Sequence, residues 1–170
     1  MIPIDHNRLE SFHSYYTEPR KWDSLPTDTR CRILAELLSA INPHVWRVVG
    51  CTYEALEVFT ENDFQYRPRL GVNRGHLTKR ITTMRHLIEH EYSDPKEWFN
   101  YYYQRDKTVL MTASENRRCD NKSNPVQLAE GTDYIKINDL DLFPDGNYCW
   151  RHGQKEINWL REQAALYLPR

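Results

Sequence analysis

The fold is decided by the stretch Thr108-Val109-Leu110-Met111-Thr112, which is followed by Ala113-Ser114-Glu115-Asn116-Arg117-Arg118. Its first five residues are apolar or β-branched, as expected of a short buried strand. The six residues after it have the composition of a helix start, which Thr112 or Ser114 can cap. The sequence therefore predicts a strand that leads directly into a helix, and a second short strand is predicted around 134–137.

Helical periodicity surrounds this strand on both sides. Helices are predicted near 8–17 and over 27–41, 95–105 and 154–168, and 43–60 is either a helix or a strand followed by a helix. The stretch 62–74 is predicted as a loop. Gly75-His76-Leu77-Thr78 is then expected to open a helix with Leu77, Ile81, Met84 and Ile88 on its apolar face. The predicted class is α+β: a mainly helical single domain with a small two- or three-stranded sheet.

Composition narrows the class of protein. The 170 residues, 39% of them hydrophobic and 28% charged, suffice for one domain with a core. No apolar run reaches the length of a membrane span, and the first residues do not read as a signal peptide. The four cysteines form no C-x-x-C pair, so free thiols in a reducing compartment are expected. We therefore expect a cytoplasmic protein without membrane contact.

Positive charge is concentrated in the segment 64–88, which contains no Asp or Glu although the whole chain has a net charge of −1. We call it the basic segment. A basic patch on an otherwise acidic protein predicts a polyanionic partner such as nucleic acid, and an acidic protein surface is the alternative. Its six cationic residues are Arg67, Arg69, Arg74, Lys79, Arg80 and Arg85.

Two patterns are compatible with metal binding. His86-Leu87-Ile88-Glu89-His90 matches the H-x-x-E-H zinc pattern, with Glu162 available as a third ligand. On a helix, however, His86 and His90 would lie opposite the predicted apolar face, which favours a solvated surface. The C-x-x-H spacing of Cys149 and His152 is acceptable for a zinc site, and Cys119 could be a further ligand. The alternative interpretation is that these residues are a buried thiol and a surface histidine without a metal.

The aromatic run Trp98-Phe99-Asn100-Tyr101-Tyr102-Tyr103 points in nearly all directions when it is placed on a helix. Aromatic faces can stack on unpaired bases. Burial on several sides of the helix is the interpretation that we favour.

The stretch 109–118 resembles the closing half of HNH-type nucleases, in which a strand of the form L-x-T-x-x-E-N leads into a helix. The likeness extends over about 75–118, although Gly75 stands where the family has an acidic residue, and the next histidine after Asn116 is His152. The resemblance implies that His76 is the general base, and that Asn116 with Glu115 supports a divalent ion (Mg²⁺, Mn²⁺ or Zn²⁺). It also implies phosphate contacts from Arg74, Lys79, Arg80, Arg117 and Arg118.

The expected function is therefore nucleic-acid binding, DNA or RNA, by an HNH-like, divalent-metal-dependent endonuclease. The alternative is a non-catalytic interaction protein, an inhibitor or antitoxin-like factor from a phage or mobile element, that docks through the basic segment. A nuclease requires His76 to converge with an amide or a carboxylate on one site. An interaction module would instead present a flat patch without convergent polar groups.

Overall fold

The computed structural model describes residues 6–41, 48–67, 69–120, 134–137, 150 and 152–168. Within these residues the chain is mainly helical with a small sheet, so the predicted α+β class is confirmed. None of the described helices has the length and hydrophobicity that a membrane crossing requires. The elements in chain order are α1 (His6–Arg20), α2 (Thr27–Ile41), β1 (Val48–Thr52), α3 (Tyr53–Glu61), β2 (Val72–His76), α4 (Arg80–Glu89), α5 (Pro95–Arg105), β3 (Thr108–Thr112), α6 (Ala113–Asp120), β4 (Tyr134–Lys136) and α7 (Gln154–Tyr167).

The contacts within the chain form two compact units. Unit 1 comprises Met1–His44 and Thr78–Asp106, and unit 2 comprises Val45–Leu77 and Lys107–Arg170. The basic segment is divided between them, because the boundary falls between Leu77 and Thr78. The prediction of a single domain stays a prediction.

Unit 1 is a group of four helices with an aromatic core. Trp98 is fully buried and stacks on Tyr16, with ring centroids 5.2 Å apart and planes 12° from parallel. Asp94 begins α5 as its sequence predicts, since the side chain accepts a 2.8 Å hydrogen bond from the Lys96 N–H. Four aromatic side chains of the run are buried, which confirms the packing interpretation: Trp98, Phe99, Tyr102 and Tyr103.

Helix α4 differs from its prediction at its start and in its buried face. It begins at Arg80 rather than at Gly75, and Ile81 is 37% exposed. The side chains that α4 buries are Thr83, Met84, Leu87 and Ile88. The buried face of α4 therefore lies closer to Leu87 than predicted. The reason is that α4 packs against α2 and α5.

In the part of unit 2 that the structure describes, the strands form a four-stranded mixed sheet with the order β2-β3-β1-β4, one strand more than the predicted maximum. Strands β1 and β3 are parallel, β2 is antiparallel to β3, and β4 is antiparallel to β1. For 48–61 the strand-then-helix alternative is confirmed. The sheet and helices α3 and α7 share one apolar core, whose large members include Leu56, Phe59, Leu110, Trp159 and Leu160.

Strand β2 corrects two predictions, because 72–74 is not a loop and Gly75-His76 does not open a helix. Its five residues pair with β3, from Val72 opposite Thr112 to His76 opposite Thr108. Asparagine, glycine and histidine have little intrinsic strand preference, so the pairing with β3 decides the conformation of this segment. Gly75 is buried within this strand, and a Cβ at its position would overlap Met111 Sδ. The side chains of Met111 and Asn116 occupy the space next to this glycine.

Candidate functional site

The junction between β3 and α6 is fixed by a capping box. Thr112 Oγ1 accepts a 3.2 Å hydrogen bond from the Glu115 N–H, and Glu115 Oε2 accepts a 2.7 Å hydrogen bond from the Thr112 N–H. The same Oε2 atom accepts a 2.8 Å hydrogen bond from the buried Thr52 hydroxyl. This oxygen of Glu115 therefore has a structural role, and the capping box sets the position of Asn116, the next residue of α6.

His76 and Asn116 line one pocket, and their roles as general base and metal-side residue stay predictions. The pocket has a volume of about 350 Å³, and all of its lining residues belong to unit 2. They are Tyr66, Val72, Asn73, Arg74, His76, Leu110, Asn116 and His152. The pocket is thus lined by two imidazoles, two amides, a guanidinium and a phenol, together with the apolar side chains of Val72 and Leu110. Polar groups that converge on a partly apolar pocket are typical of ligand sites.

Gly75 explains how Asn116 comes close to strand β2. An ideal Cβ built on Gly75 would lie 3.2 Å from Asn116 Oδ1, in addition to its overlap with Met111. Because Met111 is fully buried, this position has no space for the acidic side chain that HNH-type nucleases carry before the histidine. The glycine is therefore required by the local packing of β2 against β3 and α6.

Sequence reasoning did not place His152 in this pocket, and it also missed Tyr66 and Asn73. His152 Nδ1 accepts a 2.8 Å hydrogen bond from Trp150 Nε1, and the backbone of His152 has a φ of 53°, in the left-handed region. Because an indole N–H can only donate, Nδ1 carries no proton and Nε2 carries the proton of the neutral ring. Burial lowers the pKa of His152 to about 4; the Glu156 carboxylate opposes this change and the Arg74 cation adds to it.

The lowered pKa of His152 predicts a pH dependence of stability. Below pH 6.5 the unfolded chain binds a proton that the folded chain does not bind until about pH 4. The free energy of unfolding should therefore fall as pH falls through this window, by on the order of 1–2 kcal/mol after allowance for solvent screening of a half-exposed ring. Urea unfolding of the wild type and of His152→Gln at several pH values measures this. Parallel pH curves for the two proteins would contradict the prediction.

The predicted phosphate-binding residues divide between the two units. Arg74 lines the pocket, and Arg67, Arg69 and Arg117 are exposed side chains of the same unit. The other cations of the basic segment lie in unit 1, where Arg80 hydrogen bonds to Tyr102 and Arg85 contacts Asp28 at 2.6 Å. Lys79 is the N-cap residue of α4. The side chain of Arg118 lies outside the described residues.

His86 and His90 lie together in unit 1, in a stack of rings. The ring centroids of His86 and His90 are 3.7 Å apart with planes 17° from parallel, and Tyr101 stacks on the other face of His86 at 4.0 Å. The nitrogen lone pairs lie in the ring planes, so two nearly parallel stacked rings do not aim them at one shared ion. This geometry does not favour the H-x-x-E-H zinc hypothesis, which stays a prediction.

The pKa of His86 is lowered, mainly by burial and secondly by the neighbouring His90.

The pocket in unit 2 supplies an incomplete set of metal ligands. Its described lining residues offer two imidazoles and two amides but no carboxylate, and Arg74 adds a positive charge that repels a cation. Among all described residues, no three His, Cys, Asp or Glu side chains are grouped to hold an ion. The side chains of Cys119 and Cys149, proposed as donors with His152, lie outside those residues. The described residues thus do not fit a divalent ion by themselves.

Comparison with known proteins gives no further constraint. No family model, no curated protein and no solved structure matches this chain. The function is therefore argued from the geometry and the chemistry of the pocket.

Proposed function

We propose that unit 2 binds nucleic acid and that its pocket holds and hydrolyses one phosphodiester, as an HNH-like endonuclease does. The observation that carries the proposal is the convergence of His76 and Asn116 with Arg74 on one pocket, although Asn116 lies on a helix and the other two on strand β2. An amide and a guanidinium can hold the phosphate oxygens of a phosphodiester, and a general base can activate the water that hydrolyses it.

Each of the three side chains has a separate task. The Arg74 guanidinium donates to the phosphate oxygens and neutralises their charge. The Asn116 amide N–H donates to a further phosphate oxygen, where charge increases in the transition state. His76 takes a proton from the attacking water, whose oxygen bonds to phosphorus while the ester bond to the leaving oxygen breaks. The leaving oxygen keeps the electron pair of that bond and takes a proton from solvent water. The exposed Arg67 and Arg69 and the α6 residue Arg117 extend the cationic surface for neighbouring phosphates.

Replacing Arg74 with alanine tests the binding half of the proposal. We expect affinity for single-stranded RNA and for DNA to fall by a similar factor, and the slope of log affinity against log salt to fall by about 1, because one phosphate contact is lost. Fluorescence anisotropy of labelled oligonucleotides over a salt series measures both quantities.

The matched control is Arg32→Ala, which removes the same charge from an exposed position on α2 outside the basic segment. It should leave both the affinity and the salt slope close to those of the wild type. Equal losses in the Arg74 and Arg32 variants would contradict a specific phosphate site at the pocket. Absence of binding by the wild-type protein would contradict the whole proposal and would favour the acidic protein partner.

A further inference from the structure

We infer that Tyr66 is a stacking platform for an unpaired base, so that the nucleic acid bound at the pocket is single-stranded. The inference rests on the proposed function and specifies its ligand. It starts from Tyr66, a pocket residue that is 41% exposed.

One face of the Tyr66 ring is already occupied. It lies on the His152 ring, with centroids 3.9 Å apart and planes 13° from parallel. Because this contact covers one face, the 41% exposure of the residue comes from its remaining parts: the opposite face, the ring edge, the hydroxyl and the backbone. We take the opposite face as the surface on which a nucleobase stacks.

The ring beneath Tyr66 is held by the core of unit 2. His152 Nδ1 accepts the hydrogen bond from Trp150 Nε1, and Trp150 is only 3% exposed. Trp150 in turn packs edge-on against the buried Trp159 of α7, with centroids 5.9 Å apart. The platform is therefore supported by a chain of packed rings, so that little side-chain entropy remains to be lost when a base binds on it.

The surroundings of Tyr66 match a nucleotide rather than an apolar ligand. Asn73 and Asn116 present amides, which can donate to and accept from a base edge. Arg74 lies in the same pocket and can contact a phosphate, and the exposed Arg67 and Arg69 follow Tyr66 in the chain. The volume of about 350 Å³ lies within the range of about 300–1,000 Å³ that small ligands occupy.

The same geometry selects single strands over duplexes. In a duplex both faces of every base are covered by neighbouring base pairs, so Tyr66 can stack only on a base that is unpaired. A protein that contacted phosphates alone would bind both forms through charge. Preference for the single strand should therefore depend on the Tyr66 ring, while the cationic residues contribute to both forms.

The experiment compares Tyr66→Ala, Tyr66→Leu and Tyr66→Phe in the full chain, with anisotropy on a single-stranded oligonucleotide and on its matched duplex. We expect the alanine and leucine variants to bind the single strand about 5- to 150-fold more weakly, because one base–aromatic stack is lost. Duplex affinity and the salt slope should stay as in the wild type. The phenylalanine variant keeps the ring and should bind normally. A 2-aminopurine base in the single strand should lose fluorescence on binding to wild type but not to Tyr66→Leu.

The control is Tyr167→Ala, an exposed tyrosine of the same unit that packs on Tyr53 outside the pocket. It should leave single-strand affinity unchanged. The inference is overturned if the alanine and leucine variants bind the single strand as the wild type does, or if they lose duplex and single-strand affinity equally. It is also overturned if Tyr66→Phe binds as weakly as Tyr66→Ala. Those results leave the proposed function standing, whereas a wild-type protein that binds no nucleic acid removes both.

Discussion

Replacing His76 with alanine is expected to slow phosphodiester cleavage by about 10²- to 10⁴-fold while nucleic-acid affinity changes little. The histidine is proposed to accept the proton of the attacking water, so its loss affects the chemical step. Arg74 and Asn116, which are proposed to hold the phosphate, remain in place. Single-turnover cleavage of labelled single-stranded RNA and of supercoiled plasmid measures the chemical step, and anisotropy on the same RNA measures affinity.

The control for His76 is His90→Ala, which removes an exposed histidine of unit 1. It should cleave as the wild type does, and loss of cleavage there would instead favour the H-x-x-E-H site. Matched reactions with Mg²⁺, with Mn²⁺ and with EDTA test the divalent-ion prediction independently of the variants. Cleavage by His76→Ala at the wild-type rate would contradict the proposed base.

Replacing Glu115 with alanine is expected to lower the free energy of unfolding by about 2–4 kcal/mol. Two donors lose their acceptor at once, the Thr112 N–H at the start of α6 and the hydroxyl of Thr52, which is 1% exposed. Loss of a cap costs about 0.5–2 kcal/mol, and an unsatisfied buried donor costs about 1–3 kcal/mol. Urea unfolding followed by circular dichroism measures the change.

Two further variants separate this structural role from the metal-side role that the resemblance implies for Glu115. Glu115→Gln keeps an acceptor oxygen and should lose less stability than Glu115→Ala. Glu57→Ala, at an exposed position of α3, should change the free energy of unfolding by no more than about 0.5 kcal/mol. If Glu115→Ala unfolded at the wild-type urea concentration yet no longer cleaved nucleic acid, the capping account would be wrong and the metal-side role would gain support.

Local patterns in the sequence were sufficient for the elements that carry their own signals. Thr112, one of the two expected caps, accepts the Glu115 N–H at the start of α6, and Asp94-Pro95 begins α5 at the predicted residue. Strand β3 has the bounds that its apolar and β-branched residues predict. In these elements the interactions that fix the structure connect residues at most a few positions apart, so a short window of sequence contains them.

The sequence could not predict features that depend on distant partners. Strand β2 is composed of residues with weak strand preference and exists because β3 pairs with it. The convergence of His76 with Asn116 was expected only through the family resemblance. His152 enters the same pocket through a left-handed backbone and a hydrogen bond to Trp150, and no spacing pattern in the chain shows this. Glycine at position 75 is explained only when Met111 and Asn116 are seen beside it.

The order of the two units along the chain has a consequence for biosynthesis. Unit 1 has all of its residues once Asp106 has left the ribosome, whereas the core of unit 2 needs Trp159 and Leu160 of α7, close to the C-terminus. Nascent chains fold as their units are completed, so the helical unit can fold while β1 and β2 still wait for β3. The pairing of β1 with β3 spans a long stretch of sequence and is slow for that reason. The pocket of unit 2 is therefore assembled after unit 1, once α7 has been synthesised.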